Sequence, residues 1–242
     1  MNSLERVSAG STDRELVEDV RARLRAAGDP AKAPTMQEYM KSALPYYGVA
    51  SPEARVIFRE VLAAHPLPDR DSWLATVHEL WDNASHREEW YAALALVRHR
   101  RYSAYRDPDV LPLYRHLLTT GAWWDVVDDV ATHLVGPLLL EYHAEVEPTV
   151  RSWATDDDRW LRRTSVIAQV GAKDGTDLDL LTYAIEANLG DRDFFLRKAI
   201  GWALRQHART EPDWVRIFVA AHDERISGLS RREALKHLGQ PD

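Results

Sequence analysis

The chain has no cysteine among its 242 residues. The absence of thiols excludes disulfides, cysteine nucleophiles, zinc sites with thiolate ligands and iron–sulfur clusters held by cysteine. A chain without disulfides also fits a reducing compartment, so the sequence predicts a cytoplasmic protein. The ten histidines are scattered, with no pair at a spacing typical of metal ligands, and we expect neither a metal nor another cofactor.

Long apolar runs are missing as well. No run approaches the roughly 18 residues of a membrane-spanning helix, and residues 1–10 lack the apolar centre of a signal peptide, so we expect no contact with a membrane. The balance of 31 Lys and Arg against 38 Asp and Glu gives a formal net charge of −7. This charge argues mildly against a nucleic-acid partner, but a groove can carry the opposite sign to the whole molecule.

Apolar residues recur at spacings of three and four along nearly the whole chain, which is typical of amphipathic helices. The predicted helices span residues 12–27, 35–44, 51–65, 70–82, 85–102, 108–120, 121–134, 136–143, 145–155, 157–171, 177–189, 191–208, 210–222 and 230–238. No segment alternates as a strand would, and no linker rich in Gly, Ser or Pro divides the chain. We therefore predict an all-α superhelical solenoid of about six HEAT-like helical hairpins, with a concave face that can cradle a rod-shaped ligand.

The predicted helix 121–134 places a large aromatic ring beside an acid. Its apolar stripe contains Trp123, Val126, Val127, Val130 and Leu134. Trp124 and Asp128 lie off this stripe, four residues apart on a neighbouring edge. Because Trp123 already supplies a ring to the stripe, Trp124 is suited to contact a sugar or a cationic base at the rim of a groove. Asp128 fits three roles: a general base, an electrostatic stabiliser of a cation, or an ordinary solvated helix residue.

The predicted helix 157–171 carries an arginine within its apolar arc. Arg163 falls among Trp160, Val166 and Ile167 rather than opposite them. A charged group in that position is costly unless it is paired or hydrogen-bonded. Arg163 therefore fits either a structural ion pair with an acid on a neighbouring helix or a rigid group that binds phosphate or orients a carboxylate.

The predicted helix 191–208 combines a tryptophan with basic residues at the edge of its buried face. Trp202 lies beside Lys198 and Arg205, and Gly201 leaves room for close approach by a ligand or a helix. A ring interleaved with cations fits contact with nucleic acid. It fits equally a ring at the edge of the core with solvated charges around it.

Taken together, these helices resemble one known family. The matching segments are Trp-Trp-Asp-Val-Val-Asp at 123–128, Trp-Leu-Arg-Arg at 160–163, Phe-Phe-Leu-Arg-Lys-Ala-Ile-Gly-Trp at 194–202, and shorter matches at 38–41, 79–82 and 229–234. They resemble the HEAT-repeat DNA alkylation repair glycosylases, the AlkD-like family, in the same order from about residue 30 to about residue 238. The resemblance implies a single repeat domain, here predicted over residues 12–242 with an unmatched leader at 1–11, and a concave groove that binds DNA.

The resemblance also implies an activity and roles for particular residues. The family excises positively charged alkylated purines, such as 7-methylguanine and 3-methyladenine, from duplex DNA in base excision repair, and an open groove would permit bulky N7 or N3 adducts. Asp128 would be the catalytic carboxylate. Trp124 and Trp202 would contact the deoxyribose of the lesion, and Arg163 would order the active site and the DNA backbone. Tyr39 would add an aromatic contact.

The expected partner is therefore double-stranded DNA that contains alkylated purines. We expect Tyr39, Lys41, Lys198 and Arg205 to contact the DNA, and we expect a monomer, since a solenoid that wraps DNA needs no second copy. The main alternative is a non-catalytic HEAT-repeat scaffold that binds DNA structures or protein. A glycosidase acting on free sugars is disfavoured because the sequence shows no second carboxylate beside Asp128.

Overall fold

The computed structural model of the protein describes residues 10–238. Residues 1–9 of the predicted leader lie outside this part of the chain. The described residues form two compact units, residues 10–105 and 106–238. The prediction of one repeat domain over residues 12–242 stays a prediction.

The N-terminal unit consists of five α-helices followed by a short 3₁₀ segment. These are α1 (Arg14–Ala27), α2 (Ala33–Met40), α3 (Ser51–Ala64), α4 (Arg70–Asp82), α5 (Arg87–Arg98) and the 3₁₀ segment Arg100–Tyr105. Helix α4 packs on α5, and α1 packs on α3. Trp73 is fully buried in this core, and its indole N–H donates to the carbonyl of Leu96.

Two buried acids at the start of α5 hold the N-terminal unit together. The Glu88 carboxylate accepts hydrogen bonds from the backbone N–H groups of residues 47–49. Glu89 accepts from the hydroxyl of Ser85 and, at 2.8 Å, from the Nε of Arg21. Because a buried carboxylate must be paired or hydrogen-bonded to remain charged, these contacts account for both acids without a catalytic role.

The C-terminal unit contains nine α-helices. These are α6 (Leu111–Gly121), α7 (Trp124–Val130), α8 (Gly136–Glu141), α9 (His143–Trp153), α10 (Arg159–Ile167), α11 (Leu178–Glu186), α12 (Phe194–His207), α13 (Pro212–Ala221) and α14 (Gly228–Ala234). Shorter segments are 3₁₀ turns at Pro108–Val110 and Lys173–Gly175 and a π-helical turn at Ala131–Val135. Helix α10 packs against α6, α7, α9, α11 and α12, so it lies at the centre of the unit.

The predicted helices correspond one to one with the observed α-helices, and residues 10–238 contain no strand. Helices that follow each other in the chain pack together, as α4 and α5, α6 and α7, and α8 and α9 do. This pairing is the pattern of a helical repeat, and the prediction of an all-α repeat fold is confirmed. Within the described residues, no helix has the length and apolar character needed to cross a membrane.

Most of the predicted helices are shorter in the structure, and two of these, 121–134 and 157–171, carry candidate site residues. The segment 121–134 begins its helix at Trp124 and passes into the π-helical turn after Val130. A π-helical turn is a distortion that often accompanies a functional site. The segment 157–171 ends its helix at Ile167, four residues before Gly171, which has a positive φ of 99°.

Candidate active site

A cleft of about 360 Å³ lies within the C-terminal unit, between side chains of α7, α10, α12 and α14. Its lining residues are Trp124, Asp128, Arg163, Phe194, Phe195, Lys198, Trp202, Arg205 and Glu233. The four residues predicted as catalytic and two of the predicted DNA contacts therefore meet at one place. Three of the four helices that supply them are the three singled out in the sequence.

Helix α7 presents Trp124 and Asp128 to the cleft because its opposite side is anchored in the core. Val126, Val127 and Val130 are fully buried. Trp124 and Asp128 stand four residues apart, on one face of the helix, and are half-buried. The spacing that the sequence predicts thus places an aromatic ring and a carboxylate side by side at the cleft.

Trp123 precedes α7 in an extended conformation and supports the site from the core. Its ring packs edge-on against Trp160 at 6.1 Å and against Phe195 at 5.4 Å between ring centroids. Trp160 and Phe195 also contact each other, at 5.0 Å. This cluster of three rings ties α7, α10 and α12 together, which is the structural role expected of Trp123.

Asp128 and Arg163 form a two-pronged ion pair. The Nε of Arg163 donates to Oδ1 of Asp128 at 2.7 Å, and Nη2 donates to Oδ2 at 2.9 Å. Nη1 of the same guanidinium donates to the carbonyl of Phe195. Arg163 is only 5% exposed. The structural ion pair and the orientation of a carboxylate, both predicted for Arg163, are therefore the same contact. The acid on the neighbouring helix is the candidate catalytic carboxylate.

Burial raises the pKa of the Asp128 carboxyl above its ordinary value, and the negative charge of Asp125 acts in the same direction. The hydrogen bonds and positive charge of Arg163 oppose this rise. Because each carboxylate oxygen accepts an N–H from the guanidinium, the fork stabilises the ionised form. Asp128 is thus a poorly hydrated carboxylate in a fixed orientation, and its attraction for a nearby cation is stronger than it would be in water.

The cleft is more aromatic than the sequence indicated. Trp124 and Trp202 are half-buried. Phe194, at the first position of α12, is 59% exposed despite its size. Phe194 and Phe195 entered the sequence argument only as part of a motif, and neither was assigned to the site. The signal for them is the Asp193 cap that starts the helix, because it fixes where the next two side chains point.

Glu233 is a second carboxylate in the cleft that sequence reasoning missed. A Cβ at Gly201 would lie 2.5 Å from the Cβ of Glu233 and 3.0 Å from the carbonyl of Ser230. The glycine therefore allows α14 to approach α12 closely and to insert Glu233 beside Lys198 and Arg205. The segment 229–234 was recognised in the sequence, but spacing along the chain gave no role to this acid.

Glu233 forms ion pairs with both basic residues of the cleft. The Nζ of Lys198 lies 3.1 Å from one carboxylate oxygen, and Arg205 contacts the other. The hydrogen bond from Lys198, assisted by the charge of Arg205, lowers the pKa of Glu233. Lys198 and Arg205 were predicted to contact DNA, and a phosphate would have to compete with Glu233 for them.

The remaining predicted DNA contacts, Tyr39 and Lys41, lie in the N-terminal unit. Tyr39 is 74% exposed on α2. Lys41 caps the same helix in the left-handed conformation, with φ 49° and ψ 38°. A large exposed ring is a common feature of a ligand-contacting surface, but the roles of both residues stay predictions, as do the expected absence of a metal and of a cofactor.

The fold and the cleft define the class of this protein: a helical-repeat protein in which an aspartate–arginine pair and two tryptophans line one cleft. The family model of DNA alkylation repair enzymes matches residues 20–238. The chain belongs to this family, and the resemblance seen in its sequence is confirmed.

A solved structure is consistent with this assignment. A structure described as a predicted DNA alkylation repair enzyme from Enterococcus faecalis is similar to this chain, with a TM-score of 0.76 and 28% sequence identity. The similarity covers 88% of this chain and 98% of the other. No curated protein matches the chain.

Proposed function

We propose that this protein is a monofunctional DNA glycosylase that removes positively charged alkylated purines, such as 7-methylguanine and 3-methyladenine, from duplex DNA. Its family supports a role in DNA repair. The observation that carries the finer proposal is the Asp128 carboxylate, held by Arg163 in a cleft that also contains Trp124 and Trp202.

The substrate chemistry explains why one carboxylate suffices. Alkylation at N7 or N3 makes the purine cationic and therefore a good leaving group. When the C1′–N bond breaks, its electron pair leaves with the base, which becomes neutral, and positive charge develops on the deoxyribose, as in glycoside hydrolysis. The leaving group then needs no proton from an enzyme acid.

Asp128 has the properties that stabilise such a transition state. A fixed carboxylate with little hydration is worth most where charge develops. It also supplies a base that orients water for attack on C1′ and accepts the proton that the water loses. Arg163 contributes by holding both oxygens of the carboxylate, so that little reorientation is required when the sugar becomes cationic.

Trp124 and Trp202 complete the proposed site. An aromatic face attracts a cation by about 0.5–2 kcal/mol, depending on how far the pair is desolvated. Two such faces favour the charged lesion and the charged sugar over a neutral nucleotide. Selectivity for cationic lesions follows from the same rings that bind them.

The second carboxylate does not turn the cleft into an ordinary glycosidase site. A glycosidase acid must hold a proton at neutral pH, which requires a raised pKa. The pKa of Glu233 is lowered, mainly by its hydrogen bond with Lys198. Glu233 is therefore a counterion in the cleft, and the mechanism assigns it no proton transfer.

The proposal is tested by incubating the purified protein with methylated duplex DNA and measuring released 7-methylguanine. We expect release by the wild type and its loss in Asp128→Asn, with helicity and DNA binding retained. Asp129→Asn is the matched control, since Asp129 is on the same helix and pairs with the exposed His133. Binding of DNA without release by the wild type would favour the scaffold alternative, and full activity of Asp128→Asn would remove Asp128 from the mechanism.

A further inference from the structure

A basic cavity in the N-terminal unit shares no lining residue with the cleft of the C-terminal unit. This cavity of about 640 Å³ is lined by Arg59, Ala63, His99, Arg100 and Arg101. Arg59 belongs to α3, and the other basic residues follow the end of α5. The packing of α3 against α5 therefore brings together charges that are some 40 residues apart in the chain.

The arginines of this cavity lack acidic partners. Arg59, Arg100 and Arg101 are exposed, and no carboxylate among residues 10–238 forms an ion pair with them. Elsewhere in the same unit, Arg21 pairs with Glu89 and Arg23 pairs with Asp19. Three guanidinium ions without acidic partners among the described residues therefore lie together at one cavity. Each presents a planar set of donors suited to the oxygens of a phosphate.

Contacts with buried residues position the segment that carries Arg100 and Arg101. The backbone N–H of Arg101 donates to Nδ1 of His99 at 3.3 Å, and the His99 ring packs against Tyr102 at 5.6 Å. Tyr102 is 2% exposed, and its hydroxyl accepts from the N–H of Leu67. Burial lowers the pKa of His99, and the charges of Arg101 and Arg100 lower it further, which reflects the positive potential of the cavity.

The cleft of the C-terminal unit cannot offer the same kind of contact without breaking an ion pair. Arg163 is held by Asp128, and Lys198 and Arg205 share Glu233. Binding of duplex DNA depends on cations that replace the counterions of the phosphates. Unpaired arginines supply this directly, because no carboxylate must first be displaced.

We propose that Arg59, Arg100 and Arg101 form a phosphate-binding site for the backbone of duplex DNA. This inference rests on the proposed DNA substrate and adds a contact surface to it. The site does not discriminate between bases or between damaged and undamaged DNA, since phosphates carry no sequence information. It increases affinity for undamaged and methylated DNA by the same factor.

The test compares Arg100→Gln/Arg101→Gln with wild type in binding to an undamaged duplex, measured by fluorescence anisotropy over a range of salt concentrations. Each lost phosphate contact reduces the magnitude of the negative slope of log K against log salt by about 0.9, so we expect a reduction of about 1.8 and a Kd higher by on the order of tenfold at low salt. Adding Arg59→Gln to this double variant should reduce the magnitude of the slope further. A methylated duplex should show the same factor.

The matched control is Arg14→Gln/Arg25→Gln, which removes the same charge from exposed positions of α1 in the same unit. We expect this control to keep the wild-type slope. An unchanged slope in Arg100→Gln/Arg101→Gln, or an equal decrease in the control, would overturn the inference. Because binding is measured on undamaged DNA, this result is independent of whether the wild type releases a base, which decides the proposed function.

Discussion

Arg163 donates to both carboxylate oxygens of Asp128, at 2.7 and 2.9 Å, while its third nitrogen donates to the carbonyl of Phe195. One side chain thus connects α7, α10 and the start of α12. The guanidinium is both a structural link between helices and the group that orients the candidate catalytic acid. Geometry, and not charge alone, is therefore expected to decide its contribution.

Arg163→Lys should separate these two properties. Lysine keeps the positive charge but cannot make the parallel pair of hydrogen bonds. Because small misplacements of a catalytic group are costly, we expect base release to fall by on the order of 10–100-fold. Arg159→Lys, which changes an exposed arginine of the same helix, should retain activity. Single-turnover release of 7-methylguanine measures the effect, and equal rates for the two variants would contradict it.

Excision should be lost on the acid side of the pH profile, with a midpoint above the ordinary carboxyl value of 3.8. The active form is the carboxylate, and burial raises the pKa of Asp128, so falling pH protonates it earlier than a solvated acid. Folding stability changes with pH in the opposite direction to the excision rate. As pH falls, the folded protein binds this proton at a higher pH than the unfolded chain does, so the contribution of Asp128 to stability decreases as pH rises through the same window. Release rates, corrected for spontaneous depurination, and acid unfolding followed by circular dichroism would show both trends. A midpoint at or below 3.8 would contradict the assignment.

Glu233→Gln should strengthen binding to undamaged DNA. Removal of this charge frees Lys198 and Arg205 from their shared partner, and two additional phosphate contacts would steepen the salt dependence by about 1.8. Glu224→Gln is the control, since this exposed acid lies outside the cleft. Weaker binding by Glu233→Gln would instead mean that Glu233 holds the two cations in the position that DNA requires.

His207 should make the fold sensitive to mild acid. Its ring is 7% exposed, packs edge-on against Trp214 at 5.2 Å, and has no hydrogen-bond partner for either nitrogen among the described residues. Burial lowers the pKa of His207, so the unfolded chain binds a proton first, and stability decreases as pH falls below about 6.5.

His207→Phe keeps the ring and removes the unsatisfied nitrogens, so it should raise stability by about 1–3 kcal/mol. The neighbouring cavity of about 200 Å³ leaves space for the larger ring. Thermal unfolding at pH 5.5 and pH 7.5 should show a smaller difference for the variant than for wild type. A lower melting temperature for the variant at both values would contradict the argument.

The helices could be predicted from the sequence, as could the division of α7 into a buried face and a face at the cleft. Both depend on the spacing of residues along the chain. The periodicity that buries Val126, Val127 and Val130 also places Trp124 and Asp128 together on another face. That result does not require the exact start of the helix, which the structure places at Trp124. Local patterns thus determine which side chains share a face.

The partners of the site residues could not be predicted, because they come from other helices. Arg163 is 35 residues from Asp128, and the sequence left a structural ion pair and a ligand-binding role equally open. Glu233 is 28 residues from Arg205 and reaches it through the packing of α14 on α12. The motif at 229–234 indicated the family, but the contact depends on which helices pack together.

The absence of a side chain at Gly201 also affects the charge distribution in the cleft. Any side chain there would push against Glu233 and Ser230, and the displacement would move a carboxylate away from two cations. The smallest such change, a single methyl group, adds no charge of its own. It would nevertheless leave the two cations less neutralised toward an approaching polyanion, so a residue that is small for packing reasons would also affect DNA affinity through Lys198 and Arg205.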